Sequence, residues 1–274
     1  MAKIRMSAVW DRTTEVLSGR AGALAGIAVV TLLLPLVVVL AWTTLAVQTP
    51  AAASVTMIML LGVALVGVIG VLAMLALSSD PATTRADAWA QARRRALPLI
   101  GVSALLVLLA FVAFLPLAIV LFQAHVDLTR LATTGTPPVM SGGLKAFLAI
   151  YYVAFMIFVL WATARLTVLN AVVLHERRGV GAIRRAFALT RGVTFRVIGV
   201  LLLYLVVLFI VRTAAQSVVG VILRLLLGPT QIGTALFLAG LVGTAITTAF
   251  SVVAVAFTAQ LYVALAAAGQ PTER

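Results

Sequence analysis

The 274-residue sequence has no cysteine, only two histidines and only seven acidic residues. Without cysteine there are no disulfides, no thiolate-ligated zinc, no iron–sulfur cluster and no thiol catalysis. Charge is scarce too: 10% of residues are charged, 64% are hydrophobic, and the mean hydropathy is +1.21. A soluble domain carries about 25% charged and roughly 45–50% apolar residues. Even a folded chain of ~300 residues exposes about a quarter of its unfolded area, so this much apolar surface needs lipid as its solvent. The composition excludes a soluble enzyme, a secreted domain and a disordered regulator.

Long apolar runs are abundant. A hydrocarbon core of ~30 Å takes about 20 apolar residues in a helix. Six segments qualify, at about 22–47, 53–78, 97–121, 146–172, 194–212 and 235–265. Leu32–Leu40 and Ala104–Phe122 are apolar on every face, whereas barrel strands would alternate. The expected fold is all-α: a polytopic transmembrane helical bundle of about six spans plus interfacial amphipathic helices, forming one integral membrane domain over 1–274. Span one reads as an uncleaved signal anchor, because its apolar core outruns a signal-peptide h-region. Interfacial helices are expected at about 4–19, 83–95, 180–191 and 213–228. The last of these either lies along the interface or continues span five, and Gly228–Pro229 ends it in both cases. Pro35 and Pro116 should kink spans one and three.

The net charge of +13 is distributed unevenly. Lys3, Arg5, Arg12 and Arg20 lie in the N-terminus, and Arg85, Arg93, Arg94 and Arg95 in the second loop. Arg177, Arg178, Arg184, Arg185, Arg191 and Arg196 lie in the fourth. The first loop, Gln48–Ala52, has no charge, and the third has only Arg130 and Lys145. Basic residues collect in cytoplasmic loops, so both termini are expected in the cytoplasm of a bacterial inner-membrane protein. Segment 88–111 also aligns weakly with 186–209, pairing Arg93 with Arg191 and Gly101 with Gly199. Each copy would be a short basic helix followed by a span.

No acid lies in the middle of a span: Asp11, Glu15, Asp80, Asp87, Asp127, Glu176 and Glu273 all fall in loops or at ends. Proton and cation pathways in membranes use buried acids or histidines, and His125 and His175 fall on opposite sides of this topology. No HExxH, P-loop or serine–histidine–acid set is present. No catalytic residue, metal ligand or cofactor is expected. The informative polar residue is Arg165. Either it snorkels to the headgroups, or it faces a cavity and meets a lipid phosphate or an anionic substrate. Arg177, Arg184 and Arg191 are seven apart, so on a helix they lie near one face, with Arg178 and Arg185 beside them and Val180, Ile183 and Phe187 as the apolar counterpart. Such a helix is either a topology signal or a lipid contact on the inner leaflet. The candidate contacts for an anionic lipid or solute are Arg165, Arg177, Arg178, Arg184, Arg185 and Arg191. Gly22, Gly26, Gly62, Gly67, Gly70, Gly240 and Gly243 are expected at close helix packing, together with a stripe of Thr244, Thr247, Thr248 and Ser251.

Several short motifs resemble a known family. They are Trp161-Ala-Thr-Ala-Arg165, His175-Glu-Arg-Arg-Gly179, Ala182-Ile-Arg-Arg185, Leu189-Thr-Arg-Gly192, Phe195-Arg196 and Gln260-Leu-Tyr-Val-Ala-Leu265. Their order resembles the membrane-domain family of glycerophosphoryl diester phosphodiesterases and its stand-alone bacterial relatives. That family often has Ser where Ala186 stands and Trp where Phe195 stands. In fused members the hydrolase chemistry lies in a separate soluble barrel, for which this sequence has no room beside six spans. The resemblance therefore implies a membrane bundle and no phosphodiesterase activity. The expected role is a non-catalytic envelope accessory or anionic-lipid-binding protein, with a transporter or permease subunit for an amphipathic or anionic solute as the alternative. Membrane lipids are the expected partners, through anionic headgroups at the cytoplasmic face, with a membrane protein or a second copy as further partners. Nucleic acid is not expected.

Overall fold

The computed structural model describes residues 5–45, 49–123, 140–177 and 179–268. Lys3, His125, Asp127, Arg130, Arg178, Glu273 and Arg274 lie outside them. Among the described residues there is no strand, and six helical segments are long and apolar enough to cross a membrane.

The chain enters through α1 (Met6–Ala28), which continues through a π turn (Val29–Leu33) into α2 (Leu34–Leu45). α1 breaks at Arg20 (φ −130°, ψ 16°), dividing an amphipathic first part from the part that enters the bundle. Pro35 stands just after the π turn. Proline removes one i→i−4 hydrogen bond and crowds the preceding turn, and the wider π turn is where the helix absorbs it.

Helix α3 (Pro50–Ser79) begins with Thr49 as its N-cap, whose side chain accepts from the Ala52 amide at 3.1 Å. Helix α4 (Arg85–Gln123) starts behind Thr84, whose hydroxyl accepts from the Asp87 amide and donates to the Asp87 carboxylate at 2.6 Å. α4 runs on through Pro98 and Pro116. Residues 85–95 are thus its first turns, not a separate helix.

Past the third loop, α5 (Gly142–Leu166) is capped by Ser141, and the short α6 (Leu169–His175) follows across Thr167 and Val168. The helix α7 (Gly181–Leu189) leads to α8 (Thr194–Leu227) and α9 (Ile232–Ala268). Residues 213–227 continue span five in one helix, which ends at Gly228 with φ 74°. The 34 residues of α8 span about 51 Å at 1.5 Å per residue, well beyond a hydrocarbon core of ~30 Å. The proposed repeat is not symmetric: its first copy lies in the unbroken α4, while its second is interrupted between α7 and α8.

Helix α9 is central and touches α1, α2, α3, α6 and α8, whereas α5 packs mainly on α8 and α7. The buried core lies at the end of the molecule that carries the arginines. Leu72–Leu77 of α3, Val168 and Leu169, Ala171–Leu174 of α6, and Leu261 and Leu265 of α9 form it with Leu24 and Ile27 of α1. Three interactions fasten that end. Arg20 donates to the carbonyl oxygens of Leu77 (2.8 Å), Thr83 (3.2 Å), Asp80 and Pro81. Gln260 donates to the Ser78 carbonyl at 2.6 Å. His175 stacks on Tyr262, with centroids 5.4 Å apart.

Away from the core, Val107 and Phe111 of α4, Ile150 and Ile157 of α5, and Phe209 of α8 are exposed. Apolar patches this extensive are unusual in soluble monomers, and here they form the lipid-facing belt of a bundle. Of the glycines expected at helix contacts, Gly70 meets Thr31, Gly240 meets Leu40, Gly67 meets Leu32, Gly243 meets Gln216 and Arg212, and Gly26 meets the Arg85 guanidinium. Gly22 and Gly62 have nothing within 4 Å. The hydroxyls of Thr244, Thr247, Thr248 and Ser251 each donate to the carbonyl one turn back, so they are satisfied within α9.

Candidate functional site

The sequence places Arg165 inside a span reaching residue 172. The apolar segment does run on to His175, but its helix is interrupted at Thr167 and Val168, so Arg165 occupies the last turn of α5, where a cation complements the helix dipole. Its guanidinium lies 5.8 Å from the Trp161 ring centroid and 5.1 Å from that of Phe187, and these rings meet edge to face at 5.6 Å. Aromatic faces attract a cation electrostatically. Nη1 donates to the Thr194 hydroxyl at 3.4 Å, while Nε is buried without a hydrogen-bond partner. The Arg165 carbonyl accepts from the buried Thr190 hydroxyl at 3.2 Å. The end of α5 is therefore tied to the α7–α8 turn by a cation–aromatic cradle and two threonines, with no acid in contact with the arginine among the described residues.

The heptad spacing of Arg177, Arg184 and Arg191 does not become one helix face. Helix α7 covers only Gly181–Leu189, so Arg177 precedes it and Arg191 follows its C-cap, Thr190. Arg177 has a left-handed backbone (φ 55°), and Gly192 (φ 92°) turns the chain into α8. Both ends of the basic segment are thereby bent away from the helix axis. The apolar counterpart is also redistributed. Ala182 and Ala186 are fully buried, Ile183 packs on the core and Phe187 joins the Arg165 cradle, whereas Val180 is 62% exposed. The apolar face of α7 therefore rests on the bundle, and its arginines point away from that contact.

These arginines are not equivalent. Arg185 Nε donates to both carboxylate oxygens of Glu176, at 2.9 and 3.1 Å, closing the α6–α7 connection. Arg177, Arg184 and Arg191 are exposed and form no ion pair among the described residues. Arg178 lies outside the described residues. The aromatic residues have mixed roles: Trp161 serves the cradle, Tyr151 donates to the Ala113 carbonyl to bind α5 to α4, and Tyr152 is exposed. Among the described residues there is no group of three or more metal-ligating side chains.

Composition did not single out a cavity beside this cluster. It has a volume of about 740 Å³ and lies between the start of α1, the first half of α8 and the second half of α9. Met6, Trp10, Val197, Tyr204, Phe250 and Phe257 are among the residues that line it, and Thr167, two residues past Arg165, also lies on its wall. Segments around residues 6–10, 197–207 and 250–258 build it, and no local pattern encodes that meeting. The nearest sequence signal is the amphipathic stretch at the N-terminus, whose Met6 and Trp10 form part of the wall.

The fold and this basic end define a multi-pass helical membrane protein. No family model matches the chain, and neither a curated protein nor a solved structure matches it.

Proposed function

We propose that this chain is a non-catalytic accessory protein of a bacterial inner membrane that binds anionic lipid headgroups through its basic end, with both termini in the cytoplasm. We place it, on the motifs between Trp161 and Arg196, among the stand-alone relatives of the glycerophosphodiesterase membrane domain. The observation that supports this reading is the division of labour among the arginines. Glu176 engages Arg185, while Arg177, Arg184 and Arg191 are exposed and have no acid partner among the described residues. Anionic lipid attracts a basic residue near the surface by about 1 kcal/mol, weakened by salt.

The test replaces both Arg184 and Arg191 by Gln and spares the Arg185–Glu176 pair. Loss of two such contacts amounts to about 2 kcal/mol, roughly a 30-fold weaker retention of phosphatidylglycerol or cardiolipin in nanodiscs at low salt. The difference should shrink at high salt. Equal retention by both proteins at low salt, with the fold intact, would leave these arginines as topology signals. Purified protein should also leave glycerophosphodiesters unhydrolysed. Turnover abolished by a single substitution would overturn the non-catalytic reading.

A further inference from the structure

We infer that one anionic phospholipid of the leaflet at the basic end is held as an integral ligand, with an acyl chain in the α1–α8–α9 cavity and its phosphate at Arg165 and Thr194. This rests on the lipid-binding reading but concerns a built site rather than the exposed arginines.

Four observations carry it. The cavity wall is almost entirely apolar, and its volume of about 740 Å³ lies within the roughly 300–1,000 Å³ of pockets that enclose small-molecule ligands. Its length also fits. From Val197 to Val207 the wall follows α8 for ten residue steps, about 15 Å of helix, which is half of a ~30 Å hydrocarbon core and so the depth of a single leaflet. The cavity begins at the end of the bundle where the arginines collect, so a chain entering it would leave its headgroup among them.

The last observation is register. Thr194, Val197, Leu201 and Tyr204 follow one another at helical spacing along the cavity-facing side of α8, with Thr194 one turn before Val197. The Arg165 guanidinium is hydrogen-bonded to that threonine and retains a buried Nε without a partner. Arg196 is on the same stripe as Val200, Leu203 and Val207, again one turn outside the cavity. A cation with an unpartnered donor, one helical turn from an apolar cavity, matches an amphiphile with an anionic head. Phosphatidylethanolamine would bring an ammonium beside Arg165 and Arg196 together with its phosphate, a lipid with no phosphate would leave the Arg165 Nε unanswered, and a free inorganic anion would leave the cavity empty of apolar atoms.

Native mass spectrometry of the full chain, extracted in mild detergent and supplied with equal phosphatidylglycerol and phosphatidylethanolamine, tests the site. The wild type should retain one phosphatidylglycerol. Val200→Trp with Ala254→Trp fills the cavity and should reduce that retention at least tenfold, while Val206→Trp, on the lipid face of α8 outside the cavity wall, should match the wild type. Arg165→Gln should remove the preference for phosphatidylglycerol. The unmutated chain gives a second readout free of folding effects: phosphatidylglycerol with a photoactivatable acyl chain should label peptides 197–207 and 250–258. Equal retention by the filled variant, an unchanged preference in Arg165→Gln, or labelling spread evenly over α4 and α5 would each overturn the proposal. None of these results depends on the salt-sensitive retention tested with Arg184 and Arg191, so either idea can fail alone.

Discussion

Arg185 and Glu176 are joined through the arginine Nε, which reaches both carboxylate oxygens within 3.1 Å. The pair spans the turn between α6 and α7 and fixes where α7 lies on the core. Its side chains are 39% and 18% exposed, so water screens much of the attraction. Exposed pairs contribute about 0.2–1 kcal/mol, and this one should fall near the top of that range. A double-mutant cycle of Arg185→Gln and Glu176→Gln, read by thermal unfolding in detergent, should give a coupling of about 1 kcal/mol. Additive effects would show that α7 is positioned by Ala182, Ala186 and Phe187 alone.

A second arginine has a different structural task. Arg20 stands where α1 breaks and reaches four carbonyl oxygens at the end of α3 and in the turn beyond it. The last carbonyls of a helix have no intrahelical partner and carry the negative end of its dipole. Hydrogen bonds to charged groups are worth about 1.5–3 kcal/mol each in favourable cases. Arg20→Ala should therefore destabilise the protein by about 2 kcal/mol and speed amide exchange around residues 77–83. Arg12→Ala, at an exposed position on the same helix, should change the unfolding midpoint little. Equal effects of the two substitutions would remove Arg20 from the cap.

Hydropathy revealed the class and the number of spans because lipid imposes a length and a composition that a local window can measure. It did not decide whether residues 213–227 continue α8: Val218, Ile222 and Leu225 have the same spacing in an interfacial helix and in a long transmembrane one. Nor did the periodic arginines give the shape of the basic segment, since the left-handed backbone at Arg177 and the turn at Gly192 interrupt the period. Arg165 was legible as an unusual residue, but its cradle was not. Trp161 is a neighbour on the same helix, whereas Phe187 and Thr194 arrive from 22 and 29 residues away. In the sequence Arg20 shows only as a topology signal, because the carbonyls that need it are about 60 residues distant.

Gly70 tests the packing of the π turn. A Cβ at this position would overlap the Thr31 Oγ1 and lie 2.5 Å from the Thr31 Cβ. Thr31 is buried and its hydroxyl is committed to the Ile27 carbonyl at 2.8 Å, so it has little room to yield. Overpacking costs about 1–3 kcal/mol, and Gly70→Ala should lower stability by that amount. Adding Thr31→Gly should recover part of the loss. Gly62→Ala, with nothing within 4 Å, should be neutral or slightly stabilising. A neutral Gly70→Ala would show that the π turn and α3 do not approach this closely.

The orientation of the bundle can be read directly because the sequence has no cysteine of its own. A cysteine introduced at Ser141 lies at the start of α5, and one introduced at Gly179 lies between α6 and α7; neither glycine nor serine is buried there, and a side chain at Gly179 meets nothing within 4 Å. The two positions are separated by the whole of α5, a helix of 25 residues and about 37 Å, so they fall on opposite sides of the membrane. Arginines crowd around Gly179, and they resist translocation. A membrane-impermeant maleimide applied to intact spheroplasts should therefore label Ser141→Cys and leave Gly179→Cys unlabelled until the membrane is permeabilised. The reverse pattern would place the basic end outside and overturn the proposed orientation. Labelling of both sites in intact spheroplasts would show that α5 does not cross the membrane, and the six-span count would fall with it.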